Sequence, residues 1–262
     1  MACWPPGAAA LPRTRATRAA GVMTGRVAVI TGASGGIGAG LVAGYRGRGW
    51  AVVASARTIK PSGDPDLLTV AGDIADPATA GRIVGAALDR FGRLDTLVNN
   101  AGVYLSKPFT GYTAADYALV VGVNLTGFFW LTQRAIAEMA SRYGGHVVNV
   151  TATLAEVADS GMPAVLAALT GGGLAAATRS LAIEYAAYGI RVNAVSPGVI
   201  RAPMRPGDSY EAFGGRLPPP GRAGQVSDVV DGVLFLESSP YVTGEILRID
   251  GGQIAGHAGP FG

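Results

Sequence analysis

Short apolar runs alternate along the chain with longer stretches whose apolar positions recur at helical spacing. The runs are Val27 to Thr31, Trp50 to Ala54, Leu67 to Ala71, Thr96 to Asn99, His146 to Thr151, Arg191 to Val195 and Glu245 to Ile249. Between them the spacing predicts helices over Gly36 to Arg46, Pro77 to Phe91, Tyr117 to Ser141, Pro163 to Tyr188 and Val226 to Leu236. Strands that are apolar almost throughout, each followed by a helix, are the pattern of a parallel sheet covered on both faces. The expected fold is therefore α/β, a Rossmann-like doubly wound parallel sheet of seven strands with helices on both faces, in a single domain over residues 23–262. A loop rich in Pro and Gly, Val199 to Gly221, follows the sixth strand and is read as a lid over a ligand.

Composition adds limits to this picture. With 262 residues, 49% of them apolar and 15% charged, one large core accounts for the whole chain. The formal charge of +3 comes from Arg13, Arg15 and Arg18 in an acid-free leader, residues 1–22; without them 18 basic residues face 18 acidic ones. A neutral body gives no case for nucleic-acid binding. The leader reads as disordered sequence ahead of Met23 as the working start, with an organelle transit segment as the alternative. One cysteine, Cys3, and two histidines, His146 and His257, offer neither a disulfide framework nor a metal site. No apolar run reaches the length of a membrane span, and a cytoplasmic setting is expected.

The chemistry starts at Thr31-Gly32-Ala33-Ser34-Gly35-Gly36-Ile37-Gly38. This turn ends a strand and opens a helix, so its backbone N–H groups and the helix N-terminus are placed to hold a pyrophosphate. Gly32, Ser34, Gly36, Ile37 and Gly38 are the candidate contacts. After the second strand comes Val53-Ala54-Ser55-Ala56-Arg57-Thr58, with no acid to bind ribose hydroxyls and with Arg57 placed to pair with a 2′-phosphate. NADP(H) is the expected cofactor, NAD(H) the second choice, and none if the groove is a relic.

Together with Gly72-Asp73-Ile74, Asn99-Asn100-Ala101-Gly102, Val123-Asn124-Leu125-Thr126-Gly127, Ser196-Pro197-Gly198, Thr243-Gly244 and Asp250-Gly251-Gly252, this turn resembles the short-chain dehydrogenase/reductase family from Met23 to the C-terminus. The resemblance implies that Asp73 accepts from adenine and that Asn100, Ala101 and Gly102 flank the cofactor. It implies that Pro197 and Gly198 lie at the nicotinamide end, and that Asn124 organises a proton-relay water. Homodimers or homotetramers built on the two long helices are implied too. The uncharged stretch Pro163 to Ala177 independently asks for cover.

The same resemblance implies a catalytic tyrosine, a lysine four residues later and a serine on the fifth strand. Aligned on Gly173-Leu174 and Thr178-Arg179-Ser180, the tyrosine position is Ala167 and the lysine position Gly171; counted from Asn149 they are Val165 and Leu169. Neither register keeps the pair. Thr151 and Thr153 flank the serine position, Thr153 being the better candidate, and Ala202 stands where the resemblance implies a threonine. Tyr104, Tyr112, Glu156 and Asp159 are substitute acids by position only. Gly171, Gly172 and Gly173 inside a helix ask for a reason. Close packing is one; a cavity lined by Val165, Leu166, Ala167 and Ala202 is the other. Three functions are compatible with this record. The favoured one is a repurposed enzyme acting on an apolar carbonyl or polyketide-like small molecule by a non-redox step such as cyclisation, dehydration or isomerisation. The others are an atypical NADPH-dependent carbonyl or imine oxidoreductase and a non-catalytic partner subunit.

Overall fold

Val27–Thr31 (β1) is buried at every position, because helices cover both faces of the sheet on which it is central. The computed structural model describes residues 25–158, 160–201 and 218–256. Chain order then runs Gly36–Gly47 (α1), Ala51–Ala56 (β2), Leu67–Ala71 (β3), Pro77–Phe91 (α2), Thr96–Asn99 (β4), Ala114–Val121 (α3) and Phe128–Ser141 (α4). It continues with Gly145–Val150 (β5), Val165–Glu184 (α5), Ile190–Pro197 (β6), Ile200–Arg201 (β7), Gly224–Gln225 (β8), Val226–Ser238 (α6) and Ile246–Ile249 (β9).

Seven strands form one sheet in the order β3-β2-β1-β4-β5-β6-β9. Every pair in it is parallel, with Val29 opposite Val53 on one side and Leu97 on the other. The order reverses between β1 and β4, and the crevice outside their carboxyl ends is where such sheets hold a ligand. Alternate residues of β1 feed two cores: Val27 and Val29 pack with α2 and α4, whereas Ala28 and Ile30 pack with α1 and α6. The doubly wound sheet expected from the sequence is therefore the observed fold.

Differences from the expected elements have local causes. The helix expected from Tyr117 starts at Ala114, because Thr113 and Asp116 form a reciprocal capping box there. It is not one continuous α-helix: Gly122–Gly127 adopts a wider π turn between α3 and α4. The two-residue pair β7-β8 was not expected, being too short to show a period. Two helical stretches, Ala114–Ser141 and Val165–Glu184, are long and apolar enough to cross a membrane by length and composition, contrary to the reading of the sequence. Both pack within the fold, α4 on α2 and α5 on β6. The leader, Asp159, Ala202, most of the expected lid and His257 lie outside the described residues.

At the end of the sheet opposite that crevice sits a buried polar cluster. The Glu237 carboxylate accepts from Tyr45 Oη at 3.0 Å and Thr96 Oγ1 at 2.9 Å, and lies 3.0 Å from His146 Nδ1. Arg191 Nη1 and Asn193 Nδ2 approach the other imidazole nitrogen at 3.3 and 3.1 Å. Burial lowers the His146 pKa, against the pull of Glu237. The neutral ring donates from Nδ1 and accepts at Nε2, so α1, α6, β4, β5 and β6 are joined in one network.

Candidate active site and dinucleotide groove

Backbone geometry builds the phosphate turn. Gly32 has φ +65° and Gly36 φ +52°, a region that costs glycine nothing and other residues dearly. At Gly38 no side chain fits: a Cβ would run into the Gly32 carbonyl and stand 2.7 Å from Asn100 Nδ2. The turn is also stitched to the residues after β4. Thr31 Oγ1 accepts from the N–H groups of Asn100 and Ala101, both at 3.0 Å, while Asn100 Nδ2 donates to Thr31 O at 2.9 Å. Asn100 thus holds β1 and β4 at a fixed distance where their paths diverge.

A groove of about 220 Å³ opens there, lined on one side by Gly32, Ser34, Ser55 and Arg57 and on the other by Asp73, Ala101 and Gly102. The candidate cofactor residues Gly32, Ser34, Arg57, Asp73, Ala101 and Gly102 thus meet around one space. The Asp73 carboxylate accepts from the Ala75 N–H at 3.0 Å, which orients it at the rim. Gly36, Ile37 and Gly38 follow in the first turn of α1. Pro197 and Gly198 lie apart, at the end of β6, where Gly198 N donates to Ile249 O at 3.0 Å. The groove fits a dinucleotide at its adenosine and phosphate end, because close backbone approach, helix N-terminus and a cation are all present.

Farther along, Asn124 sits in the π turn, a local widening that is frequent at functional sites. Its Oδ1 accepts from Val103 N at 2.8 Å, and its Nδ2 donates to Val103 O at 3.0 Å and to Thr170 Oγ1 at 3.2 Å. Thr170, 1% exposed, donates its own hydroxyl hydrogen bond to Leu166 O at 2.8 Å. Asn124 therefore locks the segment after β4 onto α5. Lys107 N and Ser106 Oγ reinforce that junction by donating to Pro163 O at 3.1 and 3.0 Å. Next along, Asp116 is held at a pKa of about 2 by the hydrogen bond from Lys107, then by the Thr113 N–H and hydroxyl.

The two threonines proposed for the serine role are turned to the sheet. Thr151 Oγ1 donates to Val195 O at 3.0 Å, and Thr153 Oγ1, 2% exposed, to Pro197 O at 2.9 Å. Tyr112 Oη donates to Leu105 O at 2.8 Å, and Glu156 pairs with Arg248 at 2.7 Å. Thr170 was not singled out from sequence. A threonine within an Ala-Leu-Gly helix was the available signal, since such residues bond back to the preceding turn or outward to a partner.

Gly171 shows which reading of the glycine run applies at that position. A Cβ there would stand 2.7 Å from the Ala155 Cβ, so the turn Thr153–Ala155 packs where a side chain would begin. The expected cavity is filled at this point by the Ala155 methyl group. At Gly172 nothing lies within 4 Å. Gly172→Ala should thus raise stability by about 0.5–1 kcal/mol through helix propensity. Gly171→Ala should lose that gain to overpacking, which costs about 1–3 kcal/mol. Urea midpoints of the two variants should move in opposite directions.

Comparison with known proteins decides the family. The family described as enoyl-(acyl carrier protein) reductase matches residues 32–253. The chain belongs to the short-chain dehydrogenase/reductase family. This short-chain dehydrogenase/reductase is 36% identical over 245 residues to cis-4-hydroxycyclohexanecarboxylate dehydrogenase of Sinomonas cyclohexanicum, covering 88% of this chain and 97% of that protein. It is 32% identical to the 3-oxoacyl-[acyl-carrier-protein] reductase of Thermotoga maritima, over 88% and 99% of the two chains. Among solved structures, a 3-ketoacyl-(acyl-carrier-protein) reductase from Brucella melitensis complexed with NADH superposes with a TM-score of 0.80 at 30% identity, over 88% and 98% of the chains. ElxO with NADP bound gives a TM-score of 0.80 at 26% identity, over 89% and 100%. The non-redox function favoured from the sequence is corrected by these relatives, which are named as dehydrogenases and reductases.

Proposed function

We propose that this short-chain dehydrogenase/reductase is an NAD(P)(H)-dependent oxidoreductase that interconverts a small-molecule ketone or oxoacyl group and its alcohol, with NADP(H) preferred. The observation that carries the reading is the Gly32–Gly38 turn stitched by Asn100 to the crevice between β1 and β4, a cradle into which only a backbone-hugging ligand fits. The cofactor, when bound, supplies or takes up a hydride. In the reducing direction the carbonyl carbon gains that hydride and the oxygen gains a proton. Arg57, at the end of β2 where an acid would serve NAD, supports the NADP(H) preference. Asn124 and Thr170 position the pocket wall through Val103 and α5.

We further infer that the reaction runs without a tyrosine–lysine pair, because Ala167 and Gly171 occupy those positions and Ala155 fills the space beside Gly171. The protons of Thr151 and Thr153 are committed to β6 carbonyls, so neither threonine takes the place of the missing tyrosine. Loss of a positioned general acid slows turnover by about a hundredfold to ten-thousandfold. Exposed Tyr117, Leu119, Phe129 and Leu169 on α3 to α5 support a homodimer or homotetramer, and a chain with one cysteine suits the cytoplasm.

The test is consumption of NADPH by the purified protein with a cyclic ketone and an oxoacyl thioester as substrates. Slow, substrate-dependent oxidation is expected, faster with NADPH than NADH, and Arg57→Ala should erase the preference. Tight NADPH binding with no oxidation by any carbonyl would count against the reading.

A further inference from the structure

Two cations line cavities that border the phosphate turn, Arg57 in one and Arg201 in the other. Ser34 lines both the dinucleotide groove and a second, wider cavity of about 730 Å³. That cavity is bounded by Gly35 and Gly36 at the start of α1, by Gln225 and Ser227 at the start of α6, and by Arg201. Among the described residues Arg201 is its sole charged lining residue, as Arg57 is the sole cation of the groove. The turn itself carries no basic residue, and the space above Gly35 is open.

Arg201 is fixed at its backbone. It lies in β7 and pairs in parallel register with Gln225, the residue that precedes α6. Its guanidinium makes no ion pair or hydrogen bond with any other described residue, whereas Arg46, Arg93, Arg222 and Arg248 all have carboxylate partners. A guanidinium with no partner among the described residues, lining the same cavity as the start of the phosphate turn, is complementary to a diphosphate, whose oxygens accept its parallel N–H groups.

We propose that Arg201 is a cofactor-binding residue that clamps the diphosphate of the dinucleotide against the Ser34–Gly36 turn, while Arg57 holds the 2′-phosphate. The proposal rests on the dinucleotide reading given above. It divides the ligand's negative charge between two arginines that reach it from different strands, β7 and the end of β2. Arg201 then carries a share of affinity common to NADH and NADPH, and Arg57 carries the discrimination between them.

Competition titrations against NADPH fluorescence test this with two fragments: ADP-ribose, which has the diphosphate and no 2′-phosphate, and 2′-AMP, which has the reverse. Arg201→Ala should weaken ADP-ribose, NADH and NADPH by about tenfold or more and leave 2′-AMP unchanged, with partial recovery in Arg201→Lys. Arg57→Ala should weaken 2′-AMP and NADPH and spare ADP-ribose. Arg201→Ala that binds ADP-ribose as well as the parent, or that weakens 2′-AMP equally, overturns the assignment while the dinucleotide reading stands. A parent protein that binds neither NADPH nor NADH overturns both.

Discussion

Gly38→Ala should abolish useful cofactor binding while leaving most of the sheet folded. The added methyl meets the Gly32 carbonyl and stands 2.7 Å from Asn100 Nδ2, both within the rigid stitch between β1 and the end of β4. Neither neighbour is the free end of a flexible chain, so the turn itself must shift. Overpacking of this kind costs about 1–3 kcal/mol in stability. The effect on the ligand is larger, because the amides that face the phosphates move together. NADPH affinity should fall by roughly a hundredfold, equivalent to about 2.7 kcal/mol. Calorimetric titration, with circular dichroism as a control for folding, separates the two effects. Gly35→Ala, where a Cβ meets nothing within 4 Å, should bind within a fewfold of the parent.

Glu237→Ala should be the most destabilising single change outside the groove. Its carboxylate is 7% exposed and serves Tyr45, Thr96 and His146 at once. Removing it takes the acceptor from two hydroxyls and from the His146 Nδ1–H. Loss of one partner from a buried charged network costs about 3–5 kcal/mol. The urea midpoint should drop accordingly, with NADPH affinity of the folded fraction unchanged because the cluster lies at the far end of the sheet.

The same cluster fixes the acid side of the stability profile. Burial depresses the His146 pKa below its ordinary 6.5, so the unfolded chain takes up that proton first as pH falls. The stability contributed by the neutral ring is full above 6.5 and declines below it. For Glu237, burial pushes the pKa up. Its contacts with His146, Thr96 and Tyr45 outweigh that and leave the pKa below the usual 4.5. Its contribution is therefore present above 4.5 and lost as pH falls through the lowered value. Stability measured by urea from neutral pH to about pH 5 should fall in the parent and fall less in a His146→Asn variant.

Much of this was legible in the residues. Seven apolar runs gave seven parallel strands, because strands buried on both faces leave no polar alternation to confuse the reading. The phosphate turn was legible for a similar reason: glycines at fixed spacing between a strand and a helix serve one geometry. What stayed hidden depends on contacts between distant segments. Thr170 has meaning only beside Asn124, 46 residues away, and Glu237 only beside Tyr45, 192 residues away. The π turn at Gly122–Gly127 lies inside a continuous helical pattern and leaves no mark on its periodicity. The glycines of α5 announced a close approach without naming Ala155 as what approaches. The reaction class was misread because the positions of Ala167 and Gly171 were weighed above the frame around them. Relatives matched along 88% of the chain carry the names of dehydrogenases and reductases.

In the proposed reaction a hydride moves between a bound nicotinamide cofactor and a substrate carbon. NADPH carrying deuterium at its transferable position, mixed with excess protein and a cyclic ketone in ordinary water, tests it directly by mass spectrometry of the product. The expected product is an alcohol one mass unit heavier, with deuterium on the former carbonyl carbon and an ordinary proton on oxygen. A transformed product with no deuterium and unconsumed NADPH would contradict it.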